Sequence, residues 1–432
     1  MTAAQWRNLP LKRVAEIMPS NVDKHSVEGE IPVRLCNYVD VYNNDRIDDS
    51  IDFMSATASE AQVARFTLKA QDVLVTKDSE EPSDIGIPAY VPQDMPGVVC
   101  GYHLAVLRPD LRRVHGGFLS WALQSAEVQA YYETAATGIS RYALGISDLG
   151  MTPLHLPELR EQTRIANFLD EKTARIDALI GEKERLVERL IELRYSTVSW
   201  AVTGGLHSAN GTRDTGNVFV PRLPVGWSLG GLTKYIGPVV DYRGKTPEKT
   251  DAGVILITAR NIRDGCLDYS ISAEYVQTAD YEDIMRRGLP QIGDVLFTTE
   301  APLGQVANVD RVDIALAQRV VKFRGLDGAL NNYFLKYWLM GHAVQATLAT
   351  LATGSTAEGI KASKFAKIPL ALPSLVEQAQ IVTFLDERFS AVKTMTESVG
   401  QRIALLREYR TSLISAAVTG QLDIAHFGGG IA

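Results

Sequence analysis

The sequence contains little cysteine and no long hydrophobic run. Its three cysteines, Cys36, Cys100 and Cys266, lie far apart, without the paired spacing of a zinc site or the even number of a disulfide framework. We expect buried thiols and no metal site. No run of about 18 apolar residues occurs, and the N-terminus lacks the apolar segment of a secretory signal. These absences argue against a membrane or exported protein and predict a cytoplasmic one.

Catalytic motifs are also missing. Gly244-Lys245-Thr246 resembles the end of a phosphate-binding loop, but such a loop needs an earlier glycine where this chain has Val239. The chain has no Asn-Pro-Pro-aromatic or Asp-Pro-Pro-aromatic methyltransferase motif and no Phe-x-Gly-x-Gly cofactor loop. Its seven histidines are scattered, and none pairs with a nucleophile and an acid. We therefore predict no catalytic residues.

Positive charge is scarce for a chain that would bind nucleic acid. The sequence carries 44 Lys and Arg against 51 Asp and Glu, a net charge of −7. Residues 1–152 hold 13 basic and 20 acidic side chains, whereas residues 207–368 hold 18 and 16. Because basic groups that neutralise phosphates supply most nonspecific affinity for DNA, any DNA binding must use local basic loops and a partner that adds phosphate contacts.

The strongest positive feature is an internal repeat. The segment PLHLPELREQTRIANFLDEK starting at Pro153 returns as PLALPSLVEQAQIVTFLDER at Pro369, an offset of half the chain length of 432 residues. Over 153–206 and 369–422, 22 of 54 positions are identical without a gap. Each half of the chain is therefore a variable domain followed by a repeated segment. The four predicted segments are 1–152, 153–206, 207–368 and 369–432.

The repeated segments have the pattern of long helices. From Glu161 to about Val202 there is no proline, and apolar residues recur at alternating steps of four and three, as in a coiled-coil seam. A helix of about 40 residues spans about 60 Å, so each needs its sister or a partner protein along its length. A pair of antiparallel helices is one interpretation; helices that only dimerise or stiffen the chain are the other. The predicted seam is Ile165, Leu169, Lys172, Ile176, Leu179, Lys183, Leu186, Leu190 and Leu193, and then Ile381, Leu385, Arg388, Val392, Met395, Val399, Arg402, Leu406 and Tyr409.

The variable domains have the patterns of mixed strands and helices. Short β-branched runs predict strands at Ile31 to Leu35, Asp72 to Thr76 and Leu104 to Leu107. Helical spacing covers Phe118 to Tyr132 and Asn332 to Leu348, with Trp121 and Trp338 on apolar faces, which favours core packing over base stacking. Asp72-Val73-Leu74 resembles Asp294-Val295-Leu296, and Thr137-Gly138 matches Thr353-Gly354. We predict an α+β protein with pseudo-twofold symmetry, in which two α/β domains share a fold and differ in their loops.

The repeated motif resembles the conserved region of type I restriction-modification specificity subunits. It consists of a proline, Glu-Gln, Ile, Phe-Leu-Asp and a terminal Ala-Val-Thr-Gly, and it occurs twice, from Pro157 to Gly204 and from Pro373 to Gly420. Gly226-Trp227, Gly244-Lys245-Thr246-Pro247 and Arg260-Asn261-Ile262 are similar to the family's target-recognition domains. The first domain departs from that pattern, because it lacks the Gly-Lys-Thr-Pro segment and is acidic.

This resemblance implies a non-catalytic subunit whose two target-recognition domains each read half of a split double-stranded DNA site. The helices would then act as a ruler for the unread spacer. Two modification subunits would dock on the helices and methylate adenine, and translocase-nuclease subunits would join them. S-adenosylmethionine, ATP and Mg would belong to those partners, and this chain would hold no cofactor. The residues expected to carry the seam and the docking are Ile165, Leu169, Ile176, Leu179, Leu190, Ile381, Leu385, Val392 and Leu406.

Candidate DNA contacts lie in polar loops with nearby basic groups. Arg260 and Asn261 follow the apolar strand Val254 to Ile257, and these side chains pair with guanine and adenine respectively; a salt bridge and a turn cap are the alternative. Gly-Ser-Thr loops approach phosphate through their amides, although such clusters also form ordinary turns. The candidate set is Lys77, Ser140, Arg141, Tyr142, Arg243, Lys245, Thr246, Arg260, Asn261, Ser355, Thr356, Lys361 and Lys364.

Two rival functions remain open at this stage. One is a coiled-coil assembly protein without a DNA role, and the other is an enzyme that acts alone. Asp170-Glu171-Lys172 superficially suggests a nuclease cluster, but it lies on the predicted helix and repeats as Asp386-Glu387-Arg388. Placement on the helix therefore favours a structural role for this cluster.

Overall fold

A computed structural model describes residues 6–206, 211–242, 247–353, 359–424 and 426–427. The chain forms two compact units, Met1–Glu184 with Gly400–Ala432 and Arg185–Val399. Each unit contains one variable domain, the beginning of the long helix that follows it, and the end of the other long helix. The boundaries between the units lie within the two long helices, so each unit contains a part of both helices.

The first unit is built mainly on antiparallel strands, and helices pack against them. A four-stranded sheet has the order β2-β9-β5-β7, and a three-stranded sheet has the order β4-β3-β8 with β3 and β8 parallel. A core cluster lies on these sheets. The elements are β1 (Arg7–Pro10), β2 (Ala15–Pro19), β3 (Ile31–Cys36), α1 (Tyr38–Asn43), β4 (Met54–Ala58), α2 (Glu60–Phe66), β5 (Val73–Thr76), β6 (Asp78–Ser79), β7 (Pro88–Tyr90), β8 (Val98–Cys100), β9 (Leu104–Pro109), α3 (Gly116–Leu123), α4 (Ala126–Ala135), β10 (Thr137–Gly138), β11 (Tyr142–Ala143), α5 (Ile146–Met151), β12 (Pro153–Leu156) and the start of α6 (Leu159–Gly204).

The second unit repeats this plan. Its four-stranded sheet has the order β16-β24-β21-β22, and a three-stranded sheet has the order β20-β17-β23 with β17 and β23 parallel. Two core clusters fill it. The elements are β13 (Thr212–Asp214), β14 (Arg222–Pro224), β15 (Ser228–Gly231), β16 (Val240–Asp241), β17 (Val254–Ile257), β18 (Ile262–Arg263), β19 (Cys266–Leu267), β20 (Tyr275–Val276), α7 (Tyr281–Ile284), β21 (Val295–Thr298), β22 (Val306–Asn308), β23 (Ile314–Leu316), β24 (Val320–Phe323), α8 (Asn332–Met340), α9 (His342–Leu351), β25 (Pro369–Leu372) and α10 (Leu375–Val418).

The strands predicted in the first domain are confirmed as β3, β5 and β9. Each predicted domain helix is instead a pair of helices. The first is interrupted at Ser125, whose side chain caps α4 by accepting from the amide of Val128, and the second is interrupted at Gly341. Trp121 and Trp338 are both buried, as predicted for core residues. Each indole N–H is satisfied, by the Asp170 carboxylate at 3.0 Å and by the Pro369 carbonyl at 2.7 Å.

The same buried glutamine joins domain to helix in both units. Gln162 accepts from the amide of His115 at 2.8 Å and donates to the carbonyls of Arg113 and Pro157. Its repeat equivalent, Gln378, makes the corresponding bonds with Asn331, Ala329 and Pro373, each displaced by the same half-chain offset.

The two helices are antiparallel within each unit, as predicted. In the first unit Arg410 meets Asp177 at 3.0 Å and Arg407 meets Glu184 at 2.8 Å, so one helix rises in residue number as the other falls. In the second unit the Arg194 guanidinium lies over the Phe389 ring, and Trp200 contacts the Phe384 ring edge-on. Among the described residues, no helix is long and apolar enough to cross a membrane.

The observed seam is displaced by one residue from the predicted one at every second position. The prediction places Leu179 inside, yet it is 38% exposed while its neighbour Ile180 is 9% exposed. Leu186, Leu193 and Met395 are exposed too. The buried or half-buried line follows Thr173, Ile176, Ile180, Lys183, Val187, Leu190 and Arg194 in α6, and Phe389, Val392, Thr396, Val399, Ile403, Leu406 and Arg410 in α10. Ile165, Leu169, Ile176, Leu190, Ile381 and Leu385 are buried, and Val392 and Leu406 are half-buried.

A basic residue stands at the first position where the observed seam departs from the predicted one. The predicted seam includes Lys172 and Arg388, but each extends over the ring four residues earlier, at 5.9 Å from the centroid of Phe168 and 5.3 Å from that of Phe384. A long charged side chain keeps its head in water while its stem covers apolar surface. The following residue enters the seam instead, and the slip is the same in both repeats.

The cysteines differ in exposure. Cys36 and Cys100 are buried as expected, and burial raises the pKa of both thiols. Cys266 is exposed at the beginning of β19, so the expectation was wrong for this residue. Strand β19 has only two residues, and it buries the side chain of Leu267 while that of Cys266 faces solvent.

Candidate nucleic-acid interface

In the first domain, the predicted loop and the predicted lysine come together. Strands β10 and β11 pair antiparallel, and β11 pairs with β6, directly after Lys77. Ser140 and Arg141 are exposed between β10 and β11, and Tyr142 is half-buried in β11. The structure thus places all four first-domain candidates in or directly beside this small sheet, which forms the candidate reading edge of the domain.

This edge carries an ionic cluster that the sequence did not reveal. His103 Nδ1 lies 2.8 Å from Asp78 Oδ2 and 3.1 Å from Arg141 Nη2, and the Lys77 ammonium lies 4.0 Å from the same carboxylate. One ring nitrogen cannot donate and accept at once, and the shorter contact favours an Nδ1–H that donates to Asp78. Asp78 therefore contacts Lys77 and His103, and Arg141 joins the cluster through His103.

Acidic side chains border the same cluster. Tyr38 lies within electrostatic reach of Glu80, Asp84 and Arg141, and its pKa is raised, mainly by burial. The Tyr42 hydroxyl donates to Asp84 at 2.7 Å, which raises the pKa of Tyr42 to about 12. The basic patch of the first domain consequently has carboxylates at its border.

The second domain has its corresponding loop at the equivalent edge. Leu144 donates its amide to the Lys77 carbonyl at 2.8 Å, and Ile360 donates to the Thr299 carbonyl at 2.9 Å. Thr353 and Gly359 bridge each other there, and Gly359 also bridges Glu300. The candidates Ser355 and Thr356 lie outside the described residues, as do Arg243, Lys245 and Thr246.

Arg260 is exposed and lines an open cleft of about 340 Å³ beside Lys249 and Arg319. Lys249 forms an ion pair with Glu274 at 2.8 Å at the cleft wall. A cleft with several cations is suited to an anionic or hydrogen-bonding ligand such as a DNA strand.

Asn261 is predicted from the sequence to read a base, and the structure contradicts this. Its side chain is fully buried: Oδ1 accepts from the amide and hydroxyl of Thr258, both at 2.9 Å. Its amide nitrogen donates to the carbonyls of Asp268 and Ser272. All of its usual partners are internal, so Asn261 shapes the turn that presents Arg260.

The two lysines after the second loop differ in role. Lys361 is exposed, whereas the Lys364 ammonium donates to the Leu351 carbonyl at 2.7 Å, at the last residue of α9. A cation at a helix C-terminus satisfies a free carbonyl and the helix dipole. Lys364 therefore stabilises α9, while Lys361 remains a DNA candidate.

The carboxylates that suggested a nuclease are structural. Asp170 accepts from the Trp121 indole at 3.0 Å and pairs with Arg46 at 2.7 Å. Its repeat equivalent, Asp386, accepts from the Tyr337 hydroxyl. Within the described ranges, no group of three or more His, Cys, Asp or Glu side chains is placed to hold a metal ion.

Sequence reasoning missed His103, Arg319 and Lys249. A signal existed for the first two, because their positions differ by the same half-chain offset as the repeat. Extending the repeat offset into the variable domains would have paired them. Lys249 follows the undescribed segment 243–246 and had no comparable signal.

Comparisons with known proteins agree with this architecture. Residues 236–402 match a family model described as the type I restriction modification DNA specificity domain. Over 367 residues the chain is 22% identical to the type I restriction enzyme EcoKI specificity subunit of Escherichia coli strain K12, covering 82% of this chain and 75% of that one. It is 25% identical over 281 residues to the EcoBI specificity subunit of Escherichia coli, covering 63% and 58%.

Solved structures share the fold. One is a chain from a study of complex assembly and conformational transition of the type I R-M system, with a TM-score of 0.70, 18% identity and coverage of 96% of this chain and 98% of that one. Another is the HsdS subunit from Thermoanaerobacter tengcongensis, with a TM-score of 0.50, 19% identity and coverage of 96% and 97%. The predicted fold class, two mixed domains alternating with two long helices, is confirmed.

Proposed function

We propose that this chain is a specificity subunit of a type I restriction-modification system, a non-catalytic subunit that recognises DNA sequence, and that each of its domains reads one half of a split site. The observation that carries the proposal is the equivalent position of the two loops. Residues 137–143 and the described ends of the second loop, Thr353 and Gly359, lie beside the same edge of the same fold, with different side chains around them. One frame with two different surfaces suits two half-sites of different sequence.

The contacts divide into positioning and reading groups. Lys77, Lys249 and Lys361 would neutralise phosphates, while Arg141 and Arg260, on exposed edges, would reach base edges. The acidic border of the first domain limits the phosphate contacts that this chain makes alone. Partner subunits would therefore add much of the affinity, and methylation of adenine with S-adenosylmethionine would occur on them, as would ATP- and Mg-dependent steps.

The exposed side of α6 supports docking of a methyltransferase subunit. In the second unit Leu186, Leu193 and Trp200 are exposed and follow one another at heptad spacing. Exposed apolar side chains that recur every seven residues form a stripe along one face of a helix, and a partner helix would cover such a stripe.

The docking surface can be tested by co-purification. We expect Leu186→Glu with Leu193→Glu to abolish co-purification with the methyltransferase encoded beside this chain, while circular dichroism stays unchanged. The matched control is Ile271→Glu, which charges an equally exposed apolar side chain in the domain. Loss of the complex with the control alone, or retention with the double variant, contradicts docking on α6.

The reading function is tested by sequencing methylated DNA from a host that expresses this chain with that methyltransferase. We expect adenine methylation at one sequence made of two specified parts separated by a spacer of constant length. Methylation of all DNA without this chain would instead favour an assembly scaffold with no DNA role. Turnover by the isolated chain with S-adenosylmethionine or ATP would favour an enzyme that acts alone.

A further inference from the structure

Each domain has an ionisable residue at the same position of the fold, His103 in the first and Arg319 in the second. Lys77 donates its amide to the carbonyl of His103 at 3.1 Å, and Thr299 donates to the carbonyl of Arg319 at 2.9 Å. Since the loop residue after each reading edge also bonds to Lys77 or Thr299, the two positions are defined by the same pair of backbone contacts. His103 and Arg319 are therefore structural equivalents, separated by the half-chain repeat offset, although the side chains differ.

Each of these side chains is held by a carboxylate at the next equivalent position. Asp78 Oδ2 lies 2.8 Å from His103 Nδ1, and Glu300 Oε1 lies 3.1 Å from Arg319 Nε. Both acids directly follow the residue that forms the backbone contact. A surface ion pair of this kind adds little stability, but it limits the directions that a long side chain takes.

The Arg319 guanidinium meets Glu300 through one of its nitrogens, and the side chain stays open to solvent. Its contact with Glu300 is through Nε, which leaves Nη1 and Nη2, one of the two donor pairs with which a guanidinium binds two acceptors at once. Arg319 is 57% exposed and lines the cleft that also contains Lys249 and Arg260. A guanidinium oriented by a neighbour loses less freedom when it binds.

Given the proposed function, on which this inference rests, we propose that His103 and Arg319 set the base that each domain reads, with Asp78 and Glu300 as positioning residues. In the second half-site Arg319 binds a guanine through O6 and N7, the bidentate pattern that arginine makes in the major groove. In the first half-site His103 occupies the equivalent place between Asp78 and Arg141, and its Nε2, which lies 3.4 Å from Arg141 Nη2, contacts one base in place of that arginine. The different residue at one shared position makes the half-sites differ.

The test is the methylation motif written by the full complex with Arg319→Ala or Arg319→Lys. Both variants lose the guanidinium fork, and lysine keeps the charge, so the second remains informative where the first fails to fold. We expect discrimination for guanine at one base pair of one half-site to fall by on the order of 10- to 100-fold, with the other half-site and the spacer unchanged. The matched control is Arg311→Ala, which removes an exposed arginine paired with Asp313 in the same domain.

The outcomes separate this inference from the proposed function. A wild-type complex that methylates no split sequence overturns both. A wild-type complex with a split motif that stays unchanged in the Arg319 variants, or that relaxes equally in Arg311→Ala, overturns the assignment of Arg319 alone.

The positioning role of Glu300 and the equivalence of His103 and Arg319 are each tested by a separate variant. Glu300→Gln is expected to relax the same base pair as Arg319→Ala by a smaller factor, because the guanidinium is kept but no longer held. A Glu300→Gln motif identical to wild type overturns the positioning role. His103→Ala is expected to relax one base pair in the other half-site, and relaxation in the half read by Arg319 overturns the equivalence.

Discussion

The two variable domains have the same internal bonding and different surface charge. Gln162 and Gln378 form the same three hydrogen bonds, and Trp121 and Tyr337 bond to Asp170 and Asp386 at repeat-equivalent positions. Around these bonds, residues 1–152 carry seven more acidic than basic side chains, whereas residues 207–368 carry two more basic than acidic. The bonds that join domain to helix are therefore constrained in both halves, while the surfaces that face a ligand are free to differ.

A buried aspartate in each domain shows a difference inside this shared frame. Asp72 is fully buried and binds Arg108 through both Nε and Nη2. Asp294, at the same place, binds both Lys322 and Arg324. The second domain thus depends on one carboxylate for two cations.

The largest expected effect is from Asp294→Ala. Removal of a buried acid leaves its cations without a partner, which costs about 4 kcal/mol of unfolding free energy, and Asp72→Ala with one cation costs about 3 kcal/mol. Hydrogen exchange followed peptide by peptide in urea separates the two domains. The control Asp313→Ala, in an exposed pair, is expected to cost less than about 0.5 kcal/mol. Equal, small effects at all three positions would break the comparison of the two aspartates.

The displaced seam predicts the next effect. Ile180→Ala and Ile403→Ala remove buried side chains from α6 and α10, and each is expected to cost about 2 kcal/mol. Leu179→Ala and Leu405→Ala remove exposed side chains from the neighbouring faces and are expected to cost less than about 0.5 kcal/mol. Urea midpoints of the four variants provide the measurement. A larger loss at Leu179 than at Ile180 would restore the original seam.

A smaller effect is expected in the pH dependence of stability, because the N-cap residues of α3 and α8 differ. His115 caps α3 by accepting from the Phe118 amide, and burial lowers the pKa of His115, whereas its equivalent Asn331 caps α8 and does not titrate. Because the unfolded chain then binds the proton more readily, the stabilisation from neutral His115 is complete above about pH 6.5 and is lost as the pH falls below that value.

The His115 effect is checked by unfolding curves between pH 8 and pH 5. We expect His115→Asn to reduce the loss of stability of the first domain on acidification, while the second domain keeps the same profile in both proteins. A steeper loss in the variant than in the wild type contradicts the role of this histidine.

The sequence predicted the large-scale order of the fold because the repeat is long and the helix pattern extends over many turns. It failed to place the seam on the correct face of the helix, since Leu179 and Ile180 are equally apolar and nothing in their spacing selects the one that packs inward. Periodicity over adjacent apolar residues does not distinguish neighbouring faces of a helix.

The candidate site was only partly predictable. Arg141 was found because it follows a repeated Thr-Gly pair, but Asn261 was misassigned because the same residue type suits a base contact and a turn cap. His103 lies far along the chain from Lys77 and Arg141, and only the fold brings it to Asp78. Long-range juxtapositions of this kind leave no local pattern in the sequence.

The central claim, that each domain reads its own half of a split site, is tested most directly by comparing the motifs methylated by complexes with Arg141→Ala and Arg260→Ala. We expect each substitution to relax one half of the motif and to leave the other half and the spacer intact, with opposite halves affected in the two variants. Relaxation of the same half in both variants, or of both halves in either, would contradict the account.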